Sequence, residues 1–198
     1  MHARYTVKDS FYKRAKREGY RARSAYKLEE IERRFAIIKK GDKVLDLGSA
    51  PGSWLQVESM LVGDRGLVVG LDILPVAPLP AANVVVRKAD IREVDARDLL
   101  RETDGAAFDV VTSDIAPNLS GTREVDDARI LDLATAVLGA VDGVLRQGGN
   151  FLIKLFFSPE FADMTSALTT RFSRVTTFKP KASRGVSSEV YLICTGRR

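Results

Sequence analysis

Short apolar runs alternate along this chain with stretches whose apolar residues recur at helical spacing. Runs at about 43–47, 67–71, 83–87, 108–113 and 150–156 are rich in Val, Leu, Ile and Phe, as strands buried on both faces are. Between them, residues 52–62, 125–146 and 159–171 carry helical patterns, and 91–103 predicts a shorter helix. Upstream, Tyr26, Leu28, Ile31 and Phe35 make one face of a helix that Ser24 can cap. Two last strands, about 174–179 and 188–195, flank the polar loop Lys179–Val186. That loop is too short for a helical crossover, so the pair should be antiparallel. The pattern predicts an α/β fold with a mostly parallel seven-stranded sheet, a terminal antiparallel hairpin and helices on both faces. With no repeat and no long linker, residues 1–198 read as a single domain, with a basic helical element at about 1–40.

One junction adds chemistry to this alternation. Lys43-Val-Leu-Asp-Leu-Gly48-Ser-Ala-Pro-Gly52-Ser-Trp54 runs from a strand through a glycine loop into a helix, and Leu67-Val-Val-Gly-Leu-Asp72 ends the next strand on an acid. In a parallel sheet this order builds a site for an adenosine-containing ligand at the carboxyl edge. Gly48 and Gly52 let the backbone turn sharply and come close, where a Cβ would intrude. Asp72 follows Gly48 by 24 residues, about where a carboxylate reaches ribose hydroxyls. The loop is not G-x-G-x-x-G, and Pro51 lacks the amide that a pyrophosphate would want. A ligand with adenosine and no phosphates fits better, S-adenosylmethionine above all. By itself Asp-Leu-Gly is also an ordinary strand end and turn; Asp72, with Asp90 just past the third strand, separates the two readings.

Composition narrows the class. Apolar residues make up 45% and charged residues 29% of the 198, as in soluble globular proteins, and no apolar run is long enough for a membrane span. No charged leader with an apolar segment behind it opens the chain, and the single cysteine, Cys194, sits in an apolar strand where packing is its natural role. The cytoplasm is the expected location. With His2 as the lone histidine, a histidine metal site is not expected. The net charge of +5 hides a polarity: residues 1–40 carry +8, residues 171–198 carry +6, and the middle carries −9. If the two basic ends meet in space they form one patch that attracts a polyanion, with Arg21, Arg23 and Lys181 as candidate phosphate contacts. Solvated helix faces are the bland alternative for either end alone.

Strand ends at the carboxyl edge should carry function. They include Asp46, Gly48, Asp72, Asp90, Asp114 and, inside Phe151-Leu-Ile-Lys154-Leu-Phe-Phe157, a lysine. A lysine in so apolar a strand needs an acid beside it, and the adjacent strand offers Asp114; a lysine snorkelling from an edge strand is the alternative. Glu189, by its position alone, is an ordinary strand-start residue.

Taken together, Arg21-Ala-Arg-Ser-Ala-Tyr-Lys27-Leu, Leu45-Asp-Leu-Gly-Ser-Ala-Pro-Gly-Ser-Trp54, Ser113-Asp-Ile-Ala-Pro-Asn-Leu-Ser-Gly121, Ile153-Lys154-Leu-Phe and Ser188-Glu189-Val-Tyr191 resemble the FtsJ/RrmJ-type RNA ribose 2′-O-methyltransferases over nearly the whole chain. The resemblance implies a Rossmann-like S-adenosylmethionine-dependent methyltransferase fold. It implies a catalytic tetrad on Lys27, Asp114, Lys154 and Glu189, and cofactor contacts at Gly52, Trp54, Asp72, Asp90 and Asp114, beside the Gly48 read from the loop. It implies an RNA substrate: a uridine of large-subunit ribosomal RNA, free or in a pre-ribosomal particle. The Ser-Ala-Tyr-Lys segment looks closer to the branch that includes transfer-RNA anticodon-loop enzymes, which makes tRNA the alternative. The working form is expected to be a monomer with no membrane attachment. Two other classes compete: a nucleotide-dependent oxidoreductase, disfavoured by the missing dinucleotide fingerprint, and a non-catalytic RNA-binding module, disfavoured by an intact tetrad.

Overall fold

Strands β1 (Lys43–Leu47), β2 (Leu67–Asp72), β3 (Val84–Lys88), β4 (Phe108–Ser113), β5 (Leu145–Phe156), β6 (Phe172–Phe178) and β7 (Glu189–Arg197) form one sheet in the order β3-β2-β1-β4-β5-β7-β6. The five strands from β3 to β5 run parallel, while β7 is antiparallel to both β5 and β6. This computed structural model describes residues 10–117, 120–156, 161–183 and 188–198. Phe157, the start of the expected helix at 159, Asn118 and Leu119 of the 113–121 motif and residues 184–187 of the hairpin loop lie outside the described residues, as do residues 1–9 of the basic N-terminal stretch.

Side chains alternate between two apolar layers, as strand geometry requires. Leu45, Val69, Val111 and Phe151 face α4 (Arg123–Val144) and α5 (Phe161–Arg171), where Val137, Val141 and Leu168 complete the layer. Val44, Val68, Val110 and Leu152 face α2 (Ala25–Phe35) and α3 (Ser53–Val62), where Leu28, Ile31 and Leu55 complete the other. Burial on both faces is why these strands read as unbroken apolar runs.

Three expectations need correction. β5 begins at Leu145 and α4 ends at Val144, so the strand is five residues longer than its apolar run. Its register shifts between the Phe108–Leu145 and Val110–Asn150 pairs, and polar Arg146–Gly149 occupies the irregularity with Gly148 at φ +71°. In 91–103 only Ala96–Thr103 is helical, as a 3-10 helix started by Asp95, whose side chain accepts from the Arg97 amide. Ser24 does not cap α2 with its hydroxyl, which instead hydrogen-bonds Ser53 Oγ at 2.8 Å on α3.

The N-terminal element is folded against the body. Helix α1 (Ser10–Glu18) buries Ala15 against Tyr26 and Ala182. Phe35 stacks edge-on with Phe178, and the Lys181 amide donates to Glu30 at 2.8 Å. The two basic ends therefore do meet.

Candidate active site

The chain reverses its direction across the sheet between β1 and β4, and the crevice above that point is where open α/β sheets bind ligands. A cavity of about 620 Å³ opens there, lined among others by Gly48, Ala50, Asp72, Asp90, Asp114 and Leu74. That volume is within the range of roughly 300–1,000 Å³ typical of small-molecule sites. Gly48 has φ +84°, and a Cβ on it would fall 2.8 Å from the Ile115 Cα. Only glycine lets the loop after β1 lie against the loop after β4.

Asp72 organises the cavity's rim. Its carboxylate accepts from the Ala50 amide at 2.8 Å and the Leu74 amide at 2.7 Å, tying the end of β2 to the glycine loop. Asp90 is gripped by the Arg92 guanidinium and backbone amide, which hold its carboxyl down at about 2. Gly52 and Trp54 stand outside the lining. Gly52, at φ +103°, starts α3 and lies under the Arg21 side chain. Trp54 is 3% exposed, donates from Nε1 to the Ser24 carbonyl at 2.9 Å and packs on Tyr191.

Beside the cavity the structure brings together two ion pairs. Lys154 Nζ lies 3.1 Å from Asp114 Oδ1 and also donates to the Asp114 carbonyl. Lys27, from the first turn of α2, lies 2.6 Å from Glu189 Oε1 at the start of β7. Both ammonium groups are largely shielded from solvent. Burial opposes ionisation of Glu189, but the hydrogen bond and charge of Lys27, aided by Ser183 and Lys154, hold its carboxyl below the usual glutamate range.

Two groups at the site carried no sequence signal strong enough to name a role. Tyr191 pairs with Lys154 across the β5–β7 ladder, and its hydroxyl donates to Asp114 Oδ1 at 2.8 Å. Burial, then the Asp114 charge, push its phenol well above the usual tyrosine range, so it stays a donor. Beneath the glycine loop, Asp46 and Glu58 are both fully buried around the Thr112 hydroxyl, which is 2.7 Å from Glu58 Oε1 and 3.3 Å from Asp46 Oδ1. Burial, and for Asp46 also the charge of Glu58, raise both carboxyls, Glu58 to about 8. Glu32 on α2 is likewise pushed up by burial, to about 7. The signal for this cluster was an acid inside the apolar pattern of α3.

On the basic surface one expectation is reversed. Arg21 is not positioned to meet a phosphate: its guanidinium donates to the Pro51, Ala77 and Pro78 carbonyls at 3.0, 2.7 and 2.6 Å. Lys13, Lys16 and Lys181 are exposed. Cys194 is buried, as its apolar strand implied.

This sheet order, with a glycine loop at the switch point and an antiparallel seventh strand, defines a Rossmann-like methyltransferase. Residues 20–197 match the FtsJ-like methyltransferase family model, and the chain belongs to that family. Proteins named ribosomal RNA large subunit methyltransferase E are similar to it: one from Methylobacillus flagellatus is 45% identical over 97% of this chain and 92% of that protein. Another, from Methanobrevibacter smithii, is 39% identical over 93% and 88%. A crystal structure described as a ribosomal RNA methyltransferase from Plasmodium falciparum superposes with a TM-score of 0.80 at 26% identity, covering 90% of this chain and 98% of that one.

Proposed function

We propose that this methyltransferase moves a methyl group from S-adenosylmethionine to a ribose 2′-hydroxyl of RNA, a uridine of large-subunit ribosomal RNA. It would act as a single-domain cytoplasmic monomer. The observation that carries the chemistry is the Lys154–Asp114 pair at the lip of the cavity, faced by Lys27–Glu189. The relatives, named for methylation of large-subunit ribosomal RNA, support the RNA class. The cavity fits the donor: it has room for a nucleoside, a carboxylate rim at Asp72 and Asp90, and a Gly48 cradle that any Cβ would close. Bound there, S-adenosylmethionine supplies an electrophilic methyl group on a sulfonium.

The chain's own residues supply position and a base. A ribose hydroxyl is a weak nucleophile and must lose its proton as it attacks. Lys154 acts as the base: its Nζ takes the 2′-hydroxyl proton as the methyl group transfers, and the resulting ammonium is held by Asp114. The Tyr191 hydroxyl fixes the Asp114 carboxylate, so the lysine is aimed from a rigid strand end. Lys27 and Glu189 hold the hydroxyl in line, which is where most of the rate gain in such a transfer arises. Lys13, Lys16 and Lys181 belong to a basic surface suited to the RNA backbone.

The decisive test is to map 2′-O-methyl groups on total RNA from cells with and without the gene. Loss of one large-subunit rRNA site supports the reading; loss of an anticodon-loop site instead moves the substrate to tRNA. In vitro, Asp72→Ala should weaken S-adenosylmethionine binding roughly 10- to 100-fold by calorimetry, because a charged acceptor worth about 1.5–3 kcal/mol is lost together with the loop it ties down. Tight NAD binding by the wild type would sink the donor assignment.

A further inference from the structure

The segment Gly19–Ser24, between α1 and α2, is stitched by five hydrogen bonds to the glycine loop and to α3, the helix that loop opens. The Arg21 amide donates to Gln56 Oε1 at 2.9 Å, and Gln56 Nε2 donates back to the Gly19 carbonyl at 3.0 Å. Ser24 meets Ser53 and Trp54 on the first turn of α3. The Arg21 guanidinium, finally, joins two loops that no strand ladder connects. Nη1 bridges the Pro51 carbonyl in the glycine loop and the Ala77 carbonyl beyond β2, while Nη2 takes the Pro78 carbonyl. The fit is close, since a Cβ on Gly52 would fall 2.7 Å from Nη1 and 3.1 Å from the Val76 methyl.

We propose that Arg21 is a positioning residue for the methyl-donor site, a clamp that holds the 73–80 loop against the glycine loop and so fixes both walls of the cavity before the donor arrives. This rests on the assignment of the cavity to S-adenosylmethionine. Three carbonyls converge on one side chain, and only a planar fork with several fixed donors serves all three at once. The walls concerned are adjacent to ligand-facing groups: Ile73 and Leu74 line the cavity, and Leu74 is tied to Asp72, whose other oxygen holds Ala50. Without the clamp the 73–80 loop keeps its Asp72 anchor and the packing of Val76 and Leu79 on the apolar layer, but loses the hydrogen bonds that hold Ala77 and Pro78 to the glycine loop. The donor must then order that loop on binding, which appears as weaker affinity and not as slower chemistry. The same strap leads into α2 and Lys27, so donor-site order and the placement of one tetrad member share a connection.

The test compares wild type, Arg21→Ala and Arg21→Lys. Without ligand, the Val76, Ala77 and Leu79 amides should exchange faster with deuterium in Arg21→Ala. Its S-adenosylmethionine Kd and KM should rise about 10-fold or more, with kcat at saturating donor within about twofold of wild type. Arg21→Lys, which can serve fewer carbonyls, should fall between the two, and it stands in for the alanine variant if that fails to fold. The salt slope of RNA binding should match wild type. An unchanged donor Kd overturns the proposal whatever the slope does; joined to a slope shallower by roughly 0.7–0.9, it makes Arg21 a phosphate contact. Failure of the wild type to bind S-adenosylmethionine at all would instead overturn the functional reading, and the positioning role with it, while the exchange data still report the loop clamp.

Discussion

Lys154→Arg is expected to abolish methyl transfer at every accessible pH while leaving S-adenosylmethionine affinity within about twofold of wild type. Arginine keeps the positive charge, most of the reach and a partner for Asp114, but it does not give up its proton in proteins. The ladder position opposite Tyr191 and the apolar flanks Leu152, Ile153 and Leu155 are untouched by the change. The donor cavity is lined by the Asp114 side of the pair and not by Lys154, so cofactor binding should survive. The size of the loss separates two roles. A base removed from such a step costs about 10²–10⁴-fold. A lysine that supplied only charge would be replaced by arginine with a loss well below about 100-fold at some pH, and that result ends the general-base assignment. Lys154→Ala cannot make the distinction, since it deletes charge, base and packing together.

The second large effect concerns stability and pH. Wild-type stability should fall as pH rises from the ordinary carboxylate range to about 8, and Glu58→Gln should remove part of that fall, the rest belonging to Asp46 and Glu32. In the unfolded chain a glutamate ionises near 4.3, whereas burial keeps Glu58 protonated up to about 8 and Glu32 up to about 7. The folded state therefore binds more protons in that interval. The favourable difference is complete below the unfolded value and is lost as pH climbs through the folded one. Each such group contributes a slope of up to about 1.4 kcal/mol per pH unit, so together they should make the fall several kcal/mol. Glutamine keeps an acceptor for the Thr112 hydroxyl and has no proton to lose. Urea titrations at several pH values measure this, and an undiminished fall in Glu58→Gln would move its origin elsewhere.

Much of this site could be read from the chain because its chemistry sits at strand ends. Gly48, Asp72, Asp90 and Asp114 follow apolar runs, and a parallel sheet delivers such positions to one edge. Lys154 was legible for a different reason: a cation in a doubly buried strand demands an acid, and the neighbouring strand had one. Lys27 and Glu189 were not legible from spacing, since one lies on a helix and the other opens a strand, and only family resemblance joined them. Tyr191 escaped because its role depends on the β5–β7 register, which apolar patterning of a hairpin with a long loop does not fix. The Asp46–Glu58 pair escaped because its partners meet across a strand and a helix face. The extra length of β5 was masked by Arg146–Gly149, polar residues that look like a turn yet occupy a strand irregularity. Arg21 misled for the opposite reason: a basic cluster suggests phosphate, and here backbone carbonyls take the guanidinium.

Strand β7 is synthesised after every other strand of the sheet, yet it is inserted between β5 and β6 and brings Glu189 and Tyr191 with it. A nascent chain can fold its glycine loop, its cavity walls and the parallel strands while still tethered, but it has neither the partner of Lys27 nor the hydroxyl on Asp114. In the proposed reading the tetrad is therefore complete only once β7 has been made and paired. A message cut short before β7 would yield a protein with an open apolar edge along Phe151–Phe156, one prone to pair with other chains. Placing Glu189 and Tyr191 on the last-made strand of the sheet ties completion of the proposed site to completion of the sheet, and copies that stop short of β7 become targets for chaperones and proteases.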